Sequence, residues 1–378
     1  MLTLRHLPAL ADNHPNDVLR YYYRGLLQHW SAVDQAVGRI LCLRETGFGG
    51  PIERRSLGIA QNEWSLAVGR VDPEQMLTMR ARKGLHRLVN PSAFPLSNSV
   101  LKNKHRFDAR ARQAGLRVPE GFDPGIEPLT AFLDRQQAIM VKPNFSSKGR
   151  GVRRLHRDNE GRWSERLLAG TAMCDIAAIE AQLTKGAVLQ EVIDTHPAIA
   201  PISPNALSTM RVVTMRNENG DFEIVARILR VGGGSHPVDN FNRGGLASMA
   251  DESGGLSAFF RHDDGLPPLA VSVHPASDTP LPDSLPADLA ADIDRLASRA
   301  HSLMVPDHTI VGWDIGLGET GAVLIEGNWN PGTNVTQLLG GESVCAGRSG
   351  ELYLLALRQL PEAVWAGARP IQNDNTRC

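Results

Sequence analysis

Cysteine is scarce in this chain: there are four in 378 residues, and no two of them form a CxxC pair. Cys42, Cys174, Cys345 and Cys378 lie far apart, and no histidine spacing beside them resembles a zinc site, which favours reduced structural thiols. Long hydrophobic runs are also missing, since no window approaches roughly 18 consecutive apolar residues, and the N-terminus lacks the pattern of a secretory signal. We therefore expect a cytoplasmic protein that does not insert into a membrane.

The chain also lacks an excess of charge of either sign. Its formal net charge is −1, with 42% hydrophobic and 21% charged residues, as in a soluble globular protein. This balance gives no general attraction to nucleic acid or to an anionic membrane, so any anion must be bound by a local group of cations. We expect small-molecule partners and no nucleic acid, and the oligomeric state stays open. The length predicts two or three domains.

The first 95 or so residues read as helical. One apolar stripe with steps of three or four predicts a long amphipathic helix through Leu19, Tyr22, Leu26, Trp30, Val33, Val37 and Ile40. Asp72, Pro73 and Gln75 have the types expected at the start of a second helix. No chemistry is evident in this region.

From Ala138 onward, short β-branched runs predominate. They predict strands at "AIMVKP", "AVLQEVI", "MRVVTMR", "FEIVARILRVG", "HTIVGWDIGL" and "AVLIEGNW", with a hairpin turn at 217–221. A helix is predicted to begin near Ser284 and to end before Pro306. The chain is therefore of the α+β class.

Lysine is rare, with six in the chain, and Lys142 ends a predicted strand. The small residues that follow it could let backbone N–H groups surround an anion; they are Ser146, Ser147, Gly149 and Gly151. A strand lysine before such a loop suggests a phosphate site. The alternative is a surface hairpin with a solvated lysine.

Two further predicted strands carry polar residues for which the sequence allows two functions each. Gln190 and Glu191 end a strand that could offer partners to an adenine edge, or could be a plain edge strand. Arg211 alternates inward with Val213 and suits either a buried ion pair or a phosphate.

The stretch "VLIEGNWNPGTN", residues 323–334, changes abruptly from apolar to polar on alternate positions, so that Glu326, Asn328 and Asn330 share one face. A turn centred near Thr320 predicts that Asp314 lies directly across from Glu326. Two carboxylates and an amide brought together in this way favour a hard cation such as Mg²⁺. The alternative is a polar strand end that pairs with nearby arginines.

Taken in order, the strand lysine with its loop, "QEVI", "MRVVT", "GWDI" and "IEGNWNPG" resemble the ATP-grasp superfamily, and "VDNFNRGG" with two "HP" pairs resembles its branch associated with sugar transfer and polysaccharide biosynthesis. The resemblance covers about residues 98–345. It implies an ATP-grasp fold, in which two α+β lobes grip ATP between them, behind a mainly helical N-terminal region. The implied divisions are a helical region at 1–97, a small lobe at 98–194, a large lobe with the metal site at 195–350 and a C-terminal tail at 351–378.

By position, the resemblance implies ATP and Mg²⁺ as cofactors. Lys104 and Lys142 would hold the α- and β-phosphates, and the loop from Ser146 to Gly151 would close over the triphosphate. The implied adenine pocket contains Gln190, Glu191 and Val192, and Arg211 would contact the γ-phosphate. The implied metal ligands are Asp314, Glu326 and Asn328.

The resemblance also implies a catalytic role for Lys142, Arg211 and Arg243. The sequence evidence for substrate contacts is weaker. The candidates are His196, Asp239, Asn240, Asn242, His274 and Asn330. For the two histidines a structural role is an equal alternative.

The activity implied by the resemblance is an ATP- and Mg²⁺-dependent ligase that activates a carboxylate as an acylphosphate for attack by an amine, in cell-surface polysaccharide or sugar-linked biosynthesis. Two alternatives stay open: a kinase of the same fold acting on a hydroxyl, and a nucleotide-binding regulator without turnover.

Overall fold

The computed structural model describes residues 7–47, 49–67, 69–146, 149–167, 170–203, 206–234, 241, 243–263 and 266–370. At positions 45, 166, 167, 243 and 263 it describes the backbone alone.

The N-terminal region is helical, as predicted. Its helices are α1 (Leu7–Asn13), α2 (Asp17–His29), α3 (Ala32–Thr46), α4 (Ile52–Ser56), α5 (Gln61–Ala67) and α6 (Met79–Val89). The single long helix predicted through Ile40 is wrong, because Ser31 caps a new helix with its side chain and breaks the stripe after Trp30. The buried apolar face belongs to α2, whereas Val33 and Ile40 of α3 are exposed.

The start predicted for the second helix is also wrong. The segment at 73–75 is a turn, and α6 begins at Met79, where the Thr78 hydroxyl accepts a hydrogen bond from the Ala81 N–H at 3.2 Å. Thr78 is therefore the N-cap that satisfies the first free N–H groups of this helix.

A small antiparallel sheet follows two helices. The elements are α7 (Lys104–Gln113), α8 (Leu129–Asp134), β1 (Ala138–Pro143), β2 (Arg153–Arg157), β3 (Trp163–Leu167), β4 (Gly170–Cys174), α9 (Ile176–Thr184) and β5 (Ala187–Glu191). The strand order is β4-β3-β2-β1-β5, so that Lys142 of β1 lies beside Val188 of β5.

A larger antiparallel sheet forms the second half of the chain. Its elements are β6 (Thr209–Arg216), β7 (Phe222–Val231), β8 (Arg243–Met249), β9 (Phe259–Asp263), β10 (Leu269–Val271), α10 (Ala287–Met304), β11 (Ile310–Gly318), β12 (Gly321–Asn328) and α11 (Asn334–Gly340). The order is β10-β9-β8-β7-β6-β11-β12. The six predicted strands, the hairpin at 217–221 and the helix after Pro286 are confirmed.

Residues 351–370, assigned from the sequence to a C-terminal tail, include the end of α12 (Gly347–Arg358) and all of α13 (Glu362–Ala366). Leu352 and Tyr353 are buried in one apolar cluster with α2 and α6. This part of the chain therefore packs against the N-terminal helices.

The larger sheet has packing partners on both faces, because alternate strand residues enter different apolar clusters. Val212 and Trp313 pack with α10, whereas Val213 and Ile310 pack with α6 and α12. Arg211 shares the face of Val213, so the polar row described below lies on the face covered by α6. Within the described part of the chain, no helix combines the length and apolarity needed to cross a membrane.

Candidate active site

Three charged residues form a row across neighbouring strands of the larger sheet. Asp314 on β11 pairs with Arg211 on β6 on one side and with Glu326 on β12 on the other. The predicted opposition of Asp314 and Glu326 is thus confirmed. It depends on a β-bulge: Ile315 pairs with Leu324, so Ile325 is an extra residue that shifts the register by one before Glu326.

The two carboxyl groups of this row share a hydrogen bond and have opposite protonation preferences. Burial opposes ionisation of Asp314, but Arg211 and Arg230 outweigh it and hold the pKa of Asp314 well below its usual range. Burial and the adjacent Asp314 charge raise the pKa of Glu326. A hydrogen bond between the two carboxyl groups needs a proton on one of them, and these opposite shifts favour a proton on Glu326 and an ionised Asp314.

Arginines supply the counter-charge of Asp314. Arg211 binds it through two nitrogens, with Nη2 at 2.9 Å from Oδ2, and Arg230 Nη2 is 3.1 Å from the same oxygen. The ion-pair alternative considered for Arg211 is therefore present in the structure. In the described part of the chain Glu326 has no arginine or lysine within salt-bridge distance, and its Oε1 accepts a hydrogen bond from Asn328 Nδ2 at 3.3 Å.

Lys104 joins helix α7 to the loop after β1. It is the first residue of α7, where Asn103 is the N-cap. Its Nζ donates to the carbonyl oxygens of Asn144 and Ser146, both at 3.1 Å, and its backbone N–H donates to Asn144 Oδ1 at 2.7 Å. Lys104 thus fixes this loop at the base of the predicted phosphate site.

Lys142 is the end of a chain of side-chain hydrogen bonds. Its Nζ donates to Gln190 Oε1 at 2.6 Å, and Gln190 Nε2 donates to Asp108 Oδ2 at 2.8 Å. Asp108 therefore fixes the orientation of the Gln190 amide, whose carbonyl oxygen then faces the ammonium group. Asp108 was not identified from the sequence, although it follows Lys104 by four residues, on the same face of α7.

The lysines and the acid pair act on each other electrostatically. Burial lowers the pKa of both Lys104 and Lys142, and the Glu326 carboxyl partly offsets this effect at each lysine. Lys104 in turn favours the ionised form of Glu326. The Glu326 carboxyl at the end of β12 is therefore near enough to Lys104 and Lys142 for their charges to interact, and their joint binding of a nucleotide stays a prediction.

The predicted phosphate loop is described in part. Gly149 and Gly151 have φ angles of +67° and +71°, in the left-handed region that favours glycine. A Cβ on Gly151 would lie 3.0 Å from Pro143 Cγ, so the loop folds tightly back on the end of β1. Ser146 contacts Lys104, and Ser147 lies outside the described residues.

The strand end predicted to line an adenine pocket is connected to the neighbouring segment. Glu191 Oε1 accepts a hydrogen bond from the Glu120 N–H at 2.7 Å, and the Glu191 N–H donates to the Glu120 carbonyl at 2.8 Å. Gln190 is 3% exposed and Val192 is half-buried. Their contact with a nucleotide stays a prediction.

The candidate substrate residues fall into different situations. His274 is buried, with Nε2 2.8 Å from the Gly232 carbonyl and Nδ1 accepting from the N–H groups of Ala276 and Ser277, as the structural alternative predicts. His196 Nδ1 accepts from the Ala198 N–H within a turn. Asp239, Asn240 and Asn242 lie outside the described residues, and of Arg243 only the backbone, at the start of β8, is described.

Asn330 contacts helix α6. Its Oδ1 is 3.0 Å from His86 Nδ1, and His86 Nε2 is 2.7 Å from the Tyr353 hydroxyl. Because a carbonyl oxygen accepts, Nδ1 donates and Nε2 accepts from Tyr353. Burial lowers the pKa of His86 to about 3, which keeps the ring neutral. This network, absent from the sequence interpretation, fixes the segment that follows Asn328.

The local charge suits a polyphosphate with a divalent cation. The interacting cations are Lys104, Lys142, Arg211 and Arg230, and the interacting acids are Asp108, Asp314 and Glu326. Among the described residues no three His, Cys, Asp or Glu side chains group as a metal site. The possible donor set is two carboxylates and the Asn328 amide, a hard-oxygen set of the kind Mg²⁺ takes when waters and phosphate oxygens complete its shell.

Comparison with known proteins identifies the family. Residues 81–349, more than half of the chain, match the family described as sugar-transfer associated ATP-grasp. A sequence comparison with curated proteins gave no match.

Several solved structures are similar in part. The L-amino acid ligase from Bacillus licheniformis is 15% identical, with a TM-score of 0.41, over 72% of this chain and 52% of that chain. The D-alanine–D-alanine ligase from Bacillus anthracis is 13% identical, with a TM-score of 0.36, over 70% of this chain and 71% of that chain. This chain thus spans about half the length of the first of these ligases. At these scores the assignment depends on the family match, and on that match the chain belongs to the sugar-transfer associated ATP-grasp family.

Proposed function

We propose that this protein is an ATP- and Mg²⁺-dependent ligase that joins a carboxylic acid to an amine through an acylphosphate. The observation that supports the proposal is the pairing of buried Asp314 with half-buried Glu326, whose carboxyl group acts electrostatically on Lys104 and Lys142. A carboxyl pair of this kind holds a proton or a cation between its members, and the adjacent lysines suit the phosphates that accompany such a cation.

The residues divide the work of binding by charge. Lys142, oriented by Gln190, and Lys104 would hold non-bridging phosphate oxygens, and Gly149 and Gly151 would let the loop backbone approach them. Asp314, Glu326 and Asn328 would hold Mg²⁺, which when bound draws negative charge from the phosphates and orients them. Arg211, already fixed against Asp314, would stand beside the transferring phosphoryl group.

In the proposed reaction a carboxylate oxygen of the acid bonds to the γ-phosphorus, and the bond from phosphorus to the bridging oxygen of ADP breaks. The amine then bonds to the acyl carbon and phosphate leaves, so the products are an amide, ADP and phosphate. No side-chain nucleophile is needed, since the protein's part is positioning and charge stabilisation. Arg243 and the residues at 239–242 are proposed to face the substrates.

A kinase of the same fold is the first alternative, and the products separate the two. Release of phosphate that requires both an acid and an amine supports ligation. Formation of ADP with a phosphorylated product and no free phosphate contradicts it and supports transfer to a hydroxyl.

A nucleotide-binding regulator is the second alternative. The presence of Asp314, Glu326 and Asn328 together argues against it, because binding alone does not need the full donor set. We expect Glu326→Gln to abolish ATP turnover while the protein still unfolds cooperatively. Full turnover in this variant would contradict the assignment, and Glu319→Gln, an exposed change in the turn of the same hairpin, is the control.

The link to polysaccharide or sugar-linked biosynthesis is part of the proposal and is supported by the family description. Screening acids and amines, sugar-linked ones included, for ADP release would identify the substrates.

A further inference from the structure

The N-terminal helices and α13 enclose a cavity of about 640 Å³ that none of the proposed chemistry uses. Helix α6 separates it from the active site. Arg80, Gly84 and Arg87 line the cavity, whereas Arg82 and His86, on another face of the same helix, contact Pro331 and Asn330. The cavity is thus a second site, within the range of ligand pockets of roughly 300–1,000 Å³.

The cavity is apolar inside and cationic at its mouth. Tyr22, Leu26, Met76 and Leu88 are buried and line its interior. Among the described residues, four arginines line the cavity. Arg39, Arg87 and Arg369 are exposed, and Arg80 is half-buried. Glu74 is the single carboxylate among the described lining residues, so positive charge is in excess in a chain whose net charge is −1.

Hydrogen-bond donors also line this cavity. The indole Nε1–H of Trp30 is buried and has no hydrogen-bond partner within the described part of the chain. Burial raises the pKa of the Tyr22 and Tyr23 phenols, an effect that Arg80 opposes, and both stay neutral donors at physiological pH. A buried donor without an acceptor is unfavourable, and a ligand oxygen would relieve it.

We propose that this cavity binds a small organic anion with an apolar body, its acidic group at the arginines and its body against the tyrosine and leucine side chains. The ligand class is a carboxylate or phosphate ester carrying an aliphatic or aromatic group. A purely polar sugar would not fill the apolar interior, and a neutral hydrocarbon would not pair with the arginines at the mouth.

The first test uses a matched pair of fluorescent probes with the wild-type full chain. The probe 8-anilinonaphthalene-1-sulfonate has an anionic group, and N-phenyl-1-naphthylamine has the same rings without it. We expect saturable binding of one sulfonate probe per chain, at least tenfold tighter than binding of the neutral probe. Displacement by octanoate identifies a carboxylate ligand and displacement by octyl phosphate a phosphate ester. Equal affinity for the two probes, or equal displacement by octan-1-ol, overturns the proposal.

The second test removes the charge at the mouth. The double variant Arg39→Gln, Arg87→Gln should weaken binding of the sulfonate probe about tenfold, by a few-fold for each exposed charge, and leave the neutral probe unchanged. Arg44→Gln is the matched control, because Arg44 lies exposed on the same helix as Arg39 but does not line the cavity. Equal effects of the double variant and the control overturn the proposal.

Cys42 supplies a readout that does not depend on fluorescence. It lines the cavity and is partly exposed, whereas Cys174 and Cys345 are buried. In a Cys378→Ser background, the sulfonate probe should slow reaction of Cys42 with a thiol reagent, and the double variant should lose this protection at the same probe concentration. An unchanged rate of thiol reaction at saturating probe contradicts the placement of the ligand.

Discussion

The hydrogen-bonded chain from Asp108 through Gln190 to Lys142 gives a test that leaves the acid pair untouched. We predict that Asp108→Ala weakens binding of Mg·ATP, because Gln190 Nε2 then loses its acceptor at 2.8 Å and no longer holds its carbonyl oxygen toward Lys142. Gln190 is 3% exposed, so water cannot readily replace that acceptor. A buried donor left unpaired costs about 1–3 kcal/mol, and rotation of the amide relieves it only by giving up the bond to Lys142.

The expected loss of nucleotide affinity is about tenfold. A tenfold loss corresponds to about 1.4 kcal/mol, which is the part of the unpaired-donor cost that we assign to the lost orientation of Lys142. The assay is the Kd of Mg·ATP by isothermal titration. Asp108→Asn keeps an acceptor oxygen for Gln190 and should stay within about threefold of the wild type. Gln113→Ala, an exposed change on the same helix, is the control. A wild-type Kd in Asp108→Ala, or an equal loss in Asp108→Asn, would refute the reasoning.

Two further predictions concern stability. Burial lowers the pKa of His301 to about 3 and that of His308 to about 4, from the usual 6.5. The folded state therefore favours the neutral rings, and they contribute stability that is present above pH 6.5 and is lost as the pH falls toward 4. The urea midpoint should therefore fall between pH 7 and pH 5, and less steeply in His301→Gln, which does not titrate; parallel slopes would contradict this. Gly327→Ala should destabilise the fold by about 1–3 kcal/mol in urea unfolding, because overpacking follows where the new Cβ meets its neighbours. That Cβ would lie 2.7 Å from Leu101 Cδ2 and 2.9 Å from the Trp313 ring, whereas Gly340→Ala meets nothing within 4 Å and should be nearly neutral; similar losses in the two variants would be inconsistent with this packing.

Much of the fold is readable from the sequence, because strand composition and the hairpin turn at 217–221 are local signals. The helical stripe through Ile40 misleads for a physical reason: Ser31 and Asp34 form a capping box that starts a new helix, and apolar spacing continues across the break by coincidence. Periodicity therefore predicts the type of structure here and not its continuity.

The pairing of Asp314 with Glu326 shows how a correct prediction can rest on incomplete geometry. The turn brings Gly318 opposite Gly321, and a regular ladder from there would place Asp314 opposite Ile325. The bulge at Ile325 shifts the register by one and restores the acid pair. The sequence has no clear signal for this bulge.

Site residues from distant parts of the chain were the hardest to predict. Arg230 and Asp108 reach the site through strand register and helix packing, which composition does not report. Gln190, interpreted as a nucleotide contact, also orients Lys142, because its buried amide can serve two partners at once.

The proposed function depends on the binding of a divalent cation by Asp314 and Glu326 beside the lysines. Its most direct test is a titration of Mn²⁺, followed by electron paramagnetic resonance, in the presence of ADP, with Mg²⁺ as competitor. The wild type and Glu319→Gln should bind one or two Mn²⁺ ions that Mg²⁺ displaces, and Glu326→Gln should bind them at least tenfold more weakly. Wild-type Mn²⁺ affinity in Glu326→Gln would contradict the claim.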